Sequence, residues 1–232
     1  MKLDIEMILS EYDNVLSGYT ALLNLRLMNL CVKAEAAALL SVEIPFKGEK
    51  KRIEDVSKVA VPADEYMEVY PLHEDLIQPI IQGVLEVHPE FKPSQESVHI
   101  EEQDKDFRFV RFTMPDVDAN RRDLLNSGVD ACVSITKAQI DASKQRYLIR
   151  LAPEMQGLSD KQMDEVKKQF DKYYDMNMEL TDSSVDEKKK EIEAGYQRYL
   201  TKQKEKQQAA KDKKAAEGDD AKKTLDRKKK KK

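Results

Sequence analysis

The side chains in this sequence with the clearest chemical use are basic ones. Arg121 and Arg122 are adjacent and could contact the phosphates of an RNA backbone, although an ordinary solvated pair is the commoner arrangement. Lys137 and Lys144 are seven residues apart, which places them on one helical face, where solvent-facing lysines are common. The run Arg227–Lys232 is expected to be a solvated tail, with non-specific attraction to phosphate as the alternative.

Residues that support catalysis or metal binding show no recognisable arrangement. His73, His88 and His99 lack metal-ligand spacing to one another or to Cys31 and Cys132, and the two cysteines are expected to fill the core. The sequence contains no glycine-rich phosphate loop, no nucleophile elbow and no recognisable pair of catalytic carboxylates. We therefore predict a protein that is not an enzyme, with no metal, no cofactor and no small-molecule substrate.

Composition limits the class of protein further. The 232 residues are 36% charged and 6% aromatic, a profile typical of long solvated helices. Residues 201–232 hold 14 basic and 6 acidic residues, whereas residues 1–200 hold 26 and 38. An acidic body argues against wrapping of nucleic acid but allows a local basic face. Two cysteines, an acidic N-terminal segment and no stretch of membrane-spanning length argue against disulfide-rich, secreted and membrane classes.

The distribution of proline separates two kinds of structure. Seven of the eight prolines lie between residues 45 and 115, and proline is excluded from helix interiors. The flanking residues, 1–40 and 115–200, are therefore predicted to form a three-helix bundle. Helix 1 carries apolar residues at alternating spacings of four and three, a series that Arg26 interrupts: Ile5, Leu9, Tyr12, Leu16, Tyr19, Leu23 and Leu30.

Two further helices are predicted after the proline-rich zone. The second begins at a cap on Asp116 or Asp118 and ends near Pro153 and Gly157. Its packing stripe is predicted to consist of small and medium residues: Leu124, Gly128, Ala131, Ile135, Ala138 and Ala142. The third helix is predicted to begin at Ser159 and to pack through one face: Met163, Val166, Phe170, Tyr173, Asn177 and Leu180.

The proline-rich zone itself predicts a small α/β domain at residues 41–114. Alternating apolar residues indicate half-buried strands in three places, Val42–Phe46, Val98–Ile100 and Val110–Met114, and Tyr66–Pro71 is predicted to be another short strand. Asp75 lies three residues before Gln78, which is the spacing of a capping box at the start of a helix.

The predicted fold class is α+β: a three-helix bundle with a small α/β domain inserted between helix 1 and helix 2, followed by a disordered Lys-rich C-terminal tail. The chain enters the inserted domain near Leu40 and leaves it at Met114 and Pro115, and two crossings at one place make these three residues the predicted hinge. Residues 201 to about 212 could extend the last helix, and the rest of 201–232 is predicted to be disordered.

This layout resembles the ribosome recycling factor family. The resemblance runs through residues 20–195 and is carried by the order and spacing of short strings, none of which is diagnostic alone. The strings are Leu40–Glu43 (LSVE) with Ile53–Val59 (IEDVSKV), Tyr70–Ile80 (YPLHEDLIQPI), Arg111–Pro115 (RFTMP), Arg121–Leu124 (RRDL) and Gly157–Asp160 (GLSD).

The resemblance implies a translation factor that performs no chemistry of its own. Its bundle would lie on RNA and proteins of the large ribosomal subunit. Elongation factor G would push the inserted domain about the hinge, so that the subunits separate after termination. The resemblance also implies that Arg121 and Arg122 contact ribosomal RNA beside the hinge, and that Lys137 and Lys144 stand where the family has arginines facing that RNA. No membrane is implied.

Two departures from the family keep other functions open. Its usual Arg-Thr-Gly-Arg segment near the end of helix 1 is replaced by Met28–Cys31. In helix 2, lysines replace arginines and Asp141 stands between them, where it would oppose a phosphate. The alternatives are a ribosome-associated assembly or structural factor on the same fold, and a helical adaptor with no connection to the ribosome.

The family works in bacteria and in mitochondria or plastids. The Lys-rich tail and the divergence from the family favour the mitochondrial matrix, with the bacterial cytoplasm as the alternative, although no targeting segment is recognisable.

Overall fold

The computed structural model describes residues 3–100 and 104–229, with side chains as far as Lys211 other than those of Leu3, Ile100 and Lys105. The helices are α1 Leu3–Met28, α2 Ala37–Leu40, α3 Ile53–Val56, α4 Ile77–Val87, α5 Ala119–Glu154 and α6 Asp160–Lys229. The strands are β1 Glu43–Phe46, β2 Glu49–Arg52, β3 Ser57–Ala63, β4 Tyr66–Pro71, β5 Lys92–Ile100 and β6 Lys105–Thr113. The long helices α1, α5 and α6 form a bundle, and the elements from α2 to β6 form an inserted domain, which confirms the predicted fold class.

The predicted apolar stripe of α1 forms one wall of the bundle core. Its fully buried members are Ile5, Leu9, Tyr12, Leu16 and Leu23, each no more than 1% exposed. The ring of Tyr12 stacks on that of Phe170 in α6, with centroids 4.2 Å apart, and lies 5.2 Å from the ring of Tyr147 in α5. Aromatic rings bury large apolar areas, so this trio ties the three helices together at one level.

The packing stripe predicted for α5 was wrong by about one residue. Leu124 is 65% exposed and Ile135 is 50% exposed, so the predicted stripe faces outward. The buried residues of the helix are Leu125, Val129, Thr136, Ile140, Ser143, Tyr147 and Leu151. Because Thr136 and Ser143 are polar, the buried face of α5 does not show a regular spacing of apolar residues in the sequence.

The ends of the two long C-terminal helices follow the predicted signals. The carboxylate of Asp118 accepts a hydrogen bond of 2.8 Å from the backbone amide of Arg121, which caps α5. Gly157, at φ +80°, turns the chain after α5. Ser159 and Gln162 exchange hydrogen bonds between side chain and backbone at the start of α6, which is a capping box.

The inserted domain is an antiparallel four-stranded sheet covered on one face by α4. The strand order is β3-β4-β6-β5, and β1 and β2 form a separate hairpin. Lys47 and Gly48 form the two-residue turn of this hairpin, both at positive φ, as the tightest hairpin turns require. Side chains of α4 and the central strands share one core: Ile77, Ile80, Val84, Met67, Val69, Val110 and Phe112.

The capping box predicted at Asp75 does not form. A 3-10 turn at Glu74–Leu76 precedes α4, and no side chain caps the first amides of that helix. The carboxylate of Asp75 instead lies 3.7 Å from the ammonium of Lys47. Pro79 fits in the first turn of α4 because an amide there has no partner within the helix.

The structure also moves the first domain boundary. Cys31, Ala34, Ala38 and Leu39 belong to the core of the inserted domain, so the chain crosses at Cys31–Ala34 and not near Leu40. The predicted boundary was too late because it relied on the distribution of proline, and the first proline in the chain is Pro45.

The backbone of α6 runs to Lys229, further than the extension to about residue 212 that we predicted. No side chain beyond Lys211 is described, and residues 230–232 lie outside the described residues. The predicted disorder of the remaining tail stays a prediction. Within residues 3–100 and 104–229, no helix has the length and apolar character needed to cross a membrane.

Two threonines in the bundle core offer a matched test of this packing. The hydroxyl of Thr181 donates to the carbonyl of Asn177 at 2.8 Å, whereas that of Thr136 has no partner among the described residues, and both residues are fully buried. We expect Thr181→Val to lower the free energy of unfolding by about 1 kcal/mol and Thr136→Val to leave it unchanged or raise it. Urea denaturation of both variants measures this, and a larger loss for Thr136→Val would contradict the assignment.

Candidate nucleic-acid interface and domain junction

The two parts of the protein meet at a junction made of two chain crossings and one turn. The crossings are Cys31–Ala34 and Met114–Val117, and the turn, Asp64–Glu65, joins β3 to β4. The backbone carbonyl of Asp64 accepts a hydrogen bond from the amide of Ala34, and that of Glu65 accepts one from the amide of Met114, both at 2.8 Å. The turn is therefore tied through backbone atoms to both crossings.

Arg121 closes the junction from the side of α5. Its guanidinium donates to the backbone carbonyl of Cys31 at 2.8 Å and to that of Pro115 at 3.1 Å. Burial lowers the pKa of Arg121, an effect that nearby Glu90 opposes. The side chain is thus occupied by one carbonyl from each crossing, in a geometry that the planar fork of arginine suits. Its predicted contact with RNA stays a prediction.

Arg122 points to a different neighbour on α6. Its guanidinium lies 4.5 Å from the ring centroid of Tyr196 and 2.8 Å from a carboxylate oxygen of Asp123. Hydrogen bonding to Asp123 raises the pKa of Arg122. The adjacent arginines therefore have separate roles in the fold, and the side chain of Arg122 is 31% exposed.

The two predicted lysines of α5 belong to a row of ion pairs between α5 and α6, which we call the α5–α6 seam. The seam consists of Lys137–Asp182 at 2.6 Å, Lys144–Asp171 at 3.2 Å and Lys189–Asp130 at 2.7 Å. The ammonium of Lys144 also lies 3.8 Å from the ring centroid of Tyr174. The structure thus places both lysines on one face of α5, as their spacing indicated, with an aspartate on each.

Asp141, which would repel a phosphate, is also engaged within the bundle. It accepts a hydrogen bond of 2.7 Å from the hydroxyl of Tyr174, and this bond raises the pKa of that tyrosine. Met28–Cys31 stand where the family usually has Arg-Thr-Gly-Arg, and the basic residues nearest to them are Arg26 and Lys33. The ammonium of Lys33 lies 3.5 Å from a carboxylate oxygen of Glu35.

Sequence reasoning missed Arg146. Five of the six cations on α5 have a partner in the structure, whereas Arg146 is exposed and has no ion pair with any residue that the structure describes. It lies on the outward face of α5, where Ile135 and Ile149 are 50% and 75% exposed and Ala138 and Ala142 are also exposed. If the buried stripe of α5 had been placed correctly, the helical spacing alone would have put Arg146 on the outward face.

His88 and His99 contact neighbouring residues of the inserted domain. His88 is buried against Phe91, with ring centroids 4.6 Å apart, and His99 contacts Asp106 at 2.9 Å. Cys31 is buried and Cys132 half-buried. In the described part of the chain, no three His, Cys, Asp or Glu residues come close enough to hold a metal ion.

The fold and junction define a two-domain protein in which a long helical bundle carries an inserted α/β domain on paired crossings. The family model for ribosome recycling factor matches residues 25–192, and the chain belongs to this family. No curated protein matches the chain significantly by sequence.

Solved structures agree with this assignment. The chain is similar to a solution structure of ribosome recycling factor at 15% identity and TM-score 0.67, over 84% of this chain and 100% of that one. It is also similar to the T. thermophilus ribosome recycling factor fitted with E. coli elongation factor G to the E. coli post-termination complex, at 16% identity and TM-score 0.56, over 81% and 98% of the two chains. At such identities these likenesses establish the fold.

Substitution of Arg121 tests its role at the junction. We expect Arg121→Ala to lower the free energy of unfolding by about 2–3 kcal/mol, because it removes two hydrogen bonds from a charged group to carbonyls that are then unsatisfied. Arg121→Lys should recover part of this loss, since a single ammonium cannot serve both carbonyls in the same way. Arg122→Ala, the neighbouring control, should cost less in the same urea titration. Equal losses at the two positions would show that Arg121 has no special structural role.

Proposed function

We propose that this protein is a translation factor that binds the large ribosomal subunit and, with elongation factor G, separates the subunits after termination. The observation that carries the proposal is the family match at residues 25–192, which includes both crossings and the whole inserted domain. The similar ribosome recycling factor that is bound with elongation factor G to a post-termination complex supports both partners.

The proposed mechanism is mechanical, with the junction as its hinge. The bundle would hold the ribosome while the GTPase partner pushes the inserted domain, so that the force reaches the subunit interface through two rigid bodies. Met114 and Pro115 lie in the second crossing and are proposed to turn, together with Cys31–Ala34 in place of Leu40. The protein itself would break no covalent bond, because the GTPase supplies the energy.

Contact with ribosomal RNA is proposed for the outward side of α5. Arg146 can reach a phosphate without losing an internal partner, whereas Arg122, Lys137 and Lys144 would first exchange a carboxylate for a phosphate. Such an exchange replaces one charge-assisted contact by another, so it costs little and keeps these three residues as candidate contacts. Arg121 is proposed to act on RNA only indirectly, through the position of the junction.

The proposal is tested by light scattering from intact ribosomes of the protein's own source. Addition of the purified chain with elongation factor G and GTP is expected to lower the scattered intensity as subunits separate, at both low and moderate salt. Omission of either the chain or elongation factor G is the control and should prevent the change. Association of the chain with ribosomes without any separation would contradict the proposal.

A charge reversal at Arg146 tests the proposed RNA contact. Arg146→Glu is expected to weaken ribosome association and to reduce the slope of log affinity against log salt by about one, the effect of losing one phosphate contact. Lys167→Glu makes the same change of net charge at an exposed position on α6 and should have a smaller effect. Equal effects from both variants in co-sedimentation assays would assign the attraction to net charge alone.

A ribosome-associated assembly or structural factor is the second candidate. It is favoured by the internal pairing of Arg122, Lys137 and Lys144, which leaves few cations of α5 available to RNA. This function predicts ribosome association that elongation factor G and GTP do not convert into separated subunits. A helical adaptor, the remaining alternative, predicts no co-sedimentation with ribosomes.

We also propose that the protein works in the mitochondrial matrix, with the bacterial cytoplasm as the alternative. The Lys-rich residues 201–232 and the low identity to the similar recycling factors support this location. Fractionation of source cells, with an antibody against the chain, tests it. Absence of the protein from purified mitochondria would contradict the proposed location.

A further inference from the structure

The helix α6 continues past the segment that matches the family model, and the continuation faces the junction. The match ends at residue 192, whereas Gly195, Arg198 and Lys202 follow on the same helix at spacings of three and four. These spacings place the three residues on one face, and all three line a single cleft with residues of both crossings and the β3–β4 turn. This face therefore adds contacts that the matched segment does not contain.

Gly195 allows α6 to lie directly against both crossings. A Cβ atom at this position would stand 2.7 Å from Cγ1 of Val32 in the first crossing and 3.1 Å from Cγ2 of Val117 in the second. The 2.7 Å contact is closer than real Cβ atoms come, so any other residue at position 195 would force Val32 or the helix to shift. The axis of α6 is thereby fixed relative to the junction, one turn before the two basic residues.

Arg198 and Lys202 then bind the carboxylates of the β3–β4 turn. The guanidinium of Arg198 lies 2.5 Å from Asp64, and the ammonium of Lys202 lies 2.8 Å from Glu65 and 3.6 Å from Asp116. Hydrogen bonding to Lys202 lowers the pKa of Glu65, and hydrogen bonding to Glu65 raises the pKa of Lys202. Asp64 and Glu65 belong to the inserted domain, so both pairs join it to the bundle.

We propose that Arg198 and Lys202 form an electrostatic latch that holds the inserted domain in one orientation relative to the bundle. They are positioning residues: they act through the turn that both crossings bind, and they touch neither of the proposed partners in this role. When the two ion pairs break, the backbone hydrogen bonds of the junction remain, and the inserted domain turns about them. The latch is a property of the isolated chain, so it is independent of ribosome binding.

The exposure of the four side chains makes the latch reversible. Arg198 and Asp64 are 46% and 60% exposed, and Lys202 and Glu65 are 40% and 51% exposed. Solvent-exposed ion pairs shift an equilibrium by roughly two- to fivefold each, so two pairs favour the latched orientation by about tenfold. Salt also screens such pairs, so raising the ionic strength weakens the latch without any substitution.

The experiment measures the distance between the two parts of the full-length chain by pulsed electron–electron double resonance. Spin labels are attached at Ser97→Cys in β5 and Gln145→Cys in α5, both exposed positions, in a chain that also carries Cys132→Ser. Cys31 is retained because it is buried, and burial raises the pKa of its thiol to about 12, which keeps it unreactive toward the label.

The parent chain is expected to show one narrow distance distribution at low salt. Arg198→Glu with Lys202→Glu should add a second population and raise the ratio of released to latched molecules about tenfold or more. Adding Asp64→Arg and Glu65→Lys restores the pairs with their signs exchanged, and should restore the narrow distribution. The control is Lys189→Glu, which breaks an ion pair within the bundle and should leave the distance unchanged.

Salt provides the measurement that needs no substitution in the latch. Raising the ionic strength to about 1 M, where the screening length is about 3 Å, should broaden the distribution of the parent chain. An unchanged distribution in salt, or in the Arg198→Glu, Lys202→Glu chain with its helicity intact, would overturn the proposal and assign the orientation to the backbone bonds and Arg121. Failure to separate subunits in a chain with a working latch would instead overturn the proposed function.

Discussion

The architecture depends on satisfying the backbone where the chain passes twice between its two parts. At a crossing the backbone leaves regular structure, so its carbonyl groups need partners from elsewhere. One guanidinium, that of Arg121, donates to a carbonyl of each crossing, at Cys31 and at Pro115. The amides of Ala34 and Met114 bind the β3–β4 turn on the other side. The two crossings are therefore tied at the junction by bonds to backbone atoms, which tolerate wide change in the surrounding side chains.

The bundle uses several of its basic residues to join its own helices. Along the α5–α6 seam, three lysines each meet an aspartate, and the hydroxyl of Tyr174 occupies Asp141. Pairing of this kind neutralises charge locally, so the field that α5 presents outward is weaker than its count of cations suggests. Among the described cations of α5, Arg146 is exposed and has no ion pair, so it is the one whose charge is not offset by a neighbouring carboxylate.

The relation to solved recycling factors shows which features the fold requires. At 15% identity the chain still superposes over most of its length, because a bundle with an inserted domain needs a pattern of buried positions and very few particular residues. The part of α6 that follows residue 192, where the family match ends, also contacts the inserted domain. These contacts are a close approach at Gly195 and two exposed ion pairs.

The sequence by itself determined the features that depend on neighbouring residues. Local patterns indicated the periodicity of α1, the start of α6 at Ser159, the strand Tyr66–Pro71 and the insertion of a proline-rich domain into a bundle. They also narrowed the cap of α5 to Asp116 or Asp118, of which the structure uses Asp118. Each is set by the geometry of a helix or strand, which repeats over a few residues and can be recognised without the rest of the chain.

Only the tertiary structure decided which polar groups meet across the fold. Thr136 and Ser143 of α5 are buried in the bundle core because α1 and α6 pack against that side of the helix. Leu124 lies on the other side of α5 and is therefore exposed. The partners of Arg121 lie 6 and 90 residues away along the chain, and those of Lys137 and Arg198 lie on other elements. Such contacts depend on the relative rotation and spacing of packed elements, which no local pattern contains.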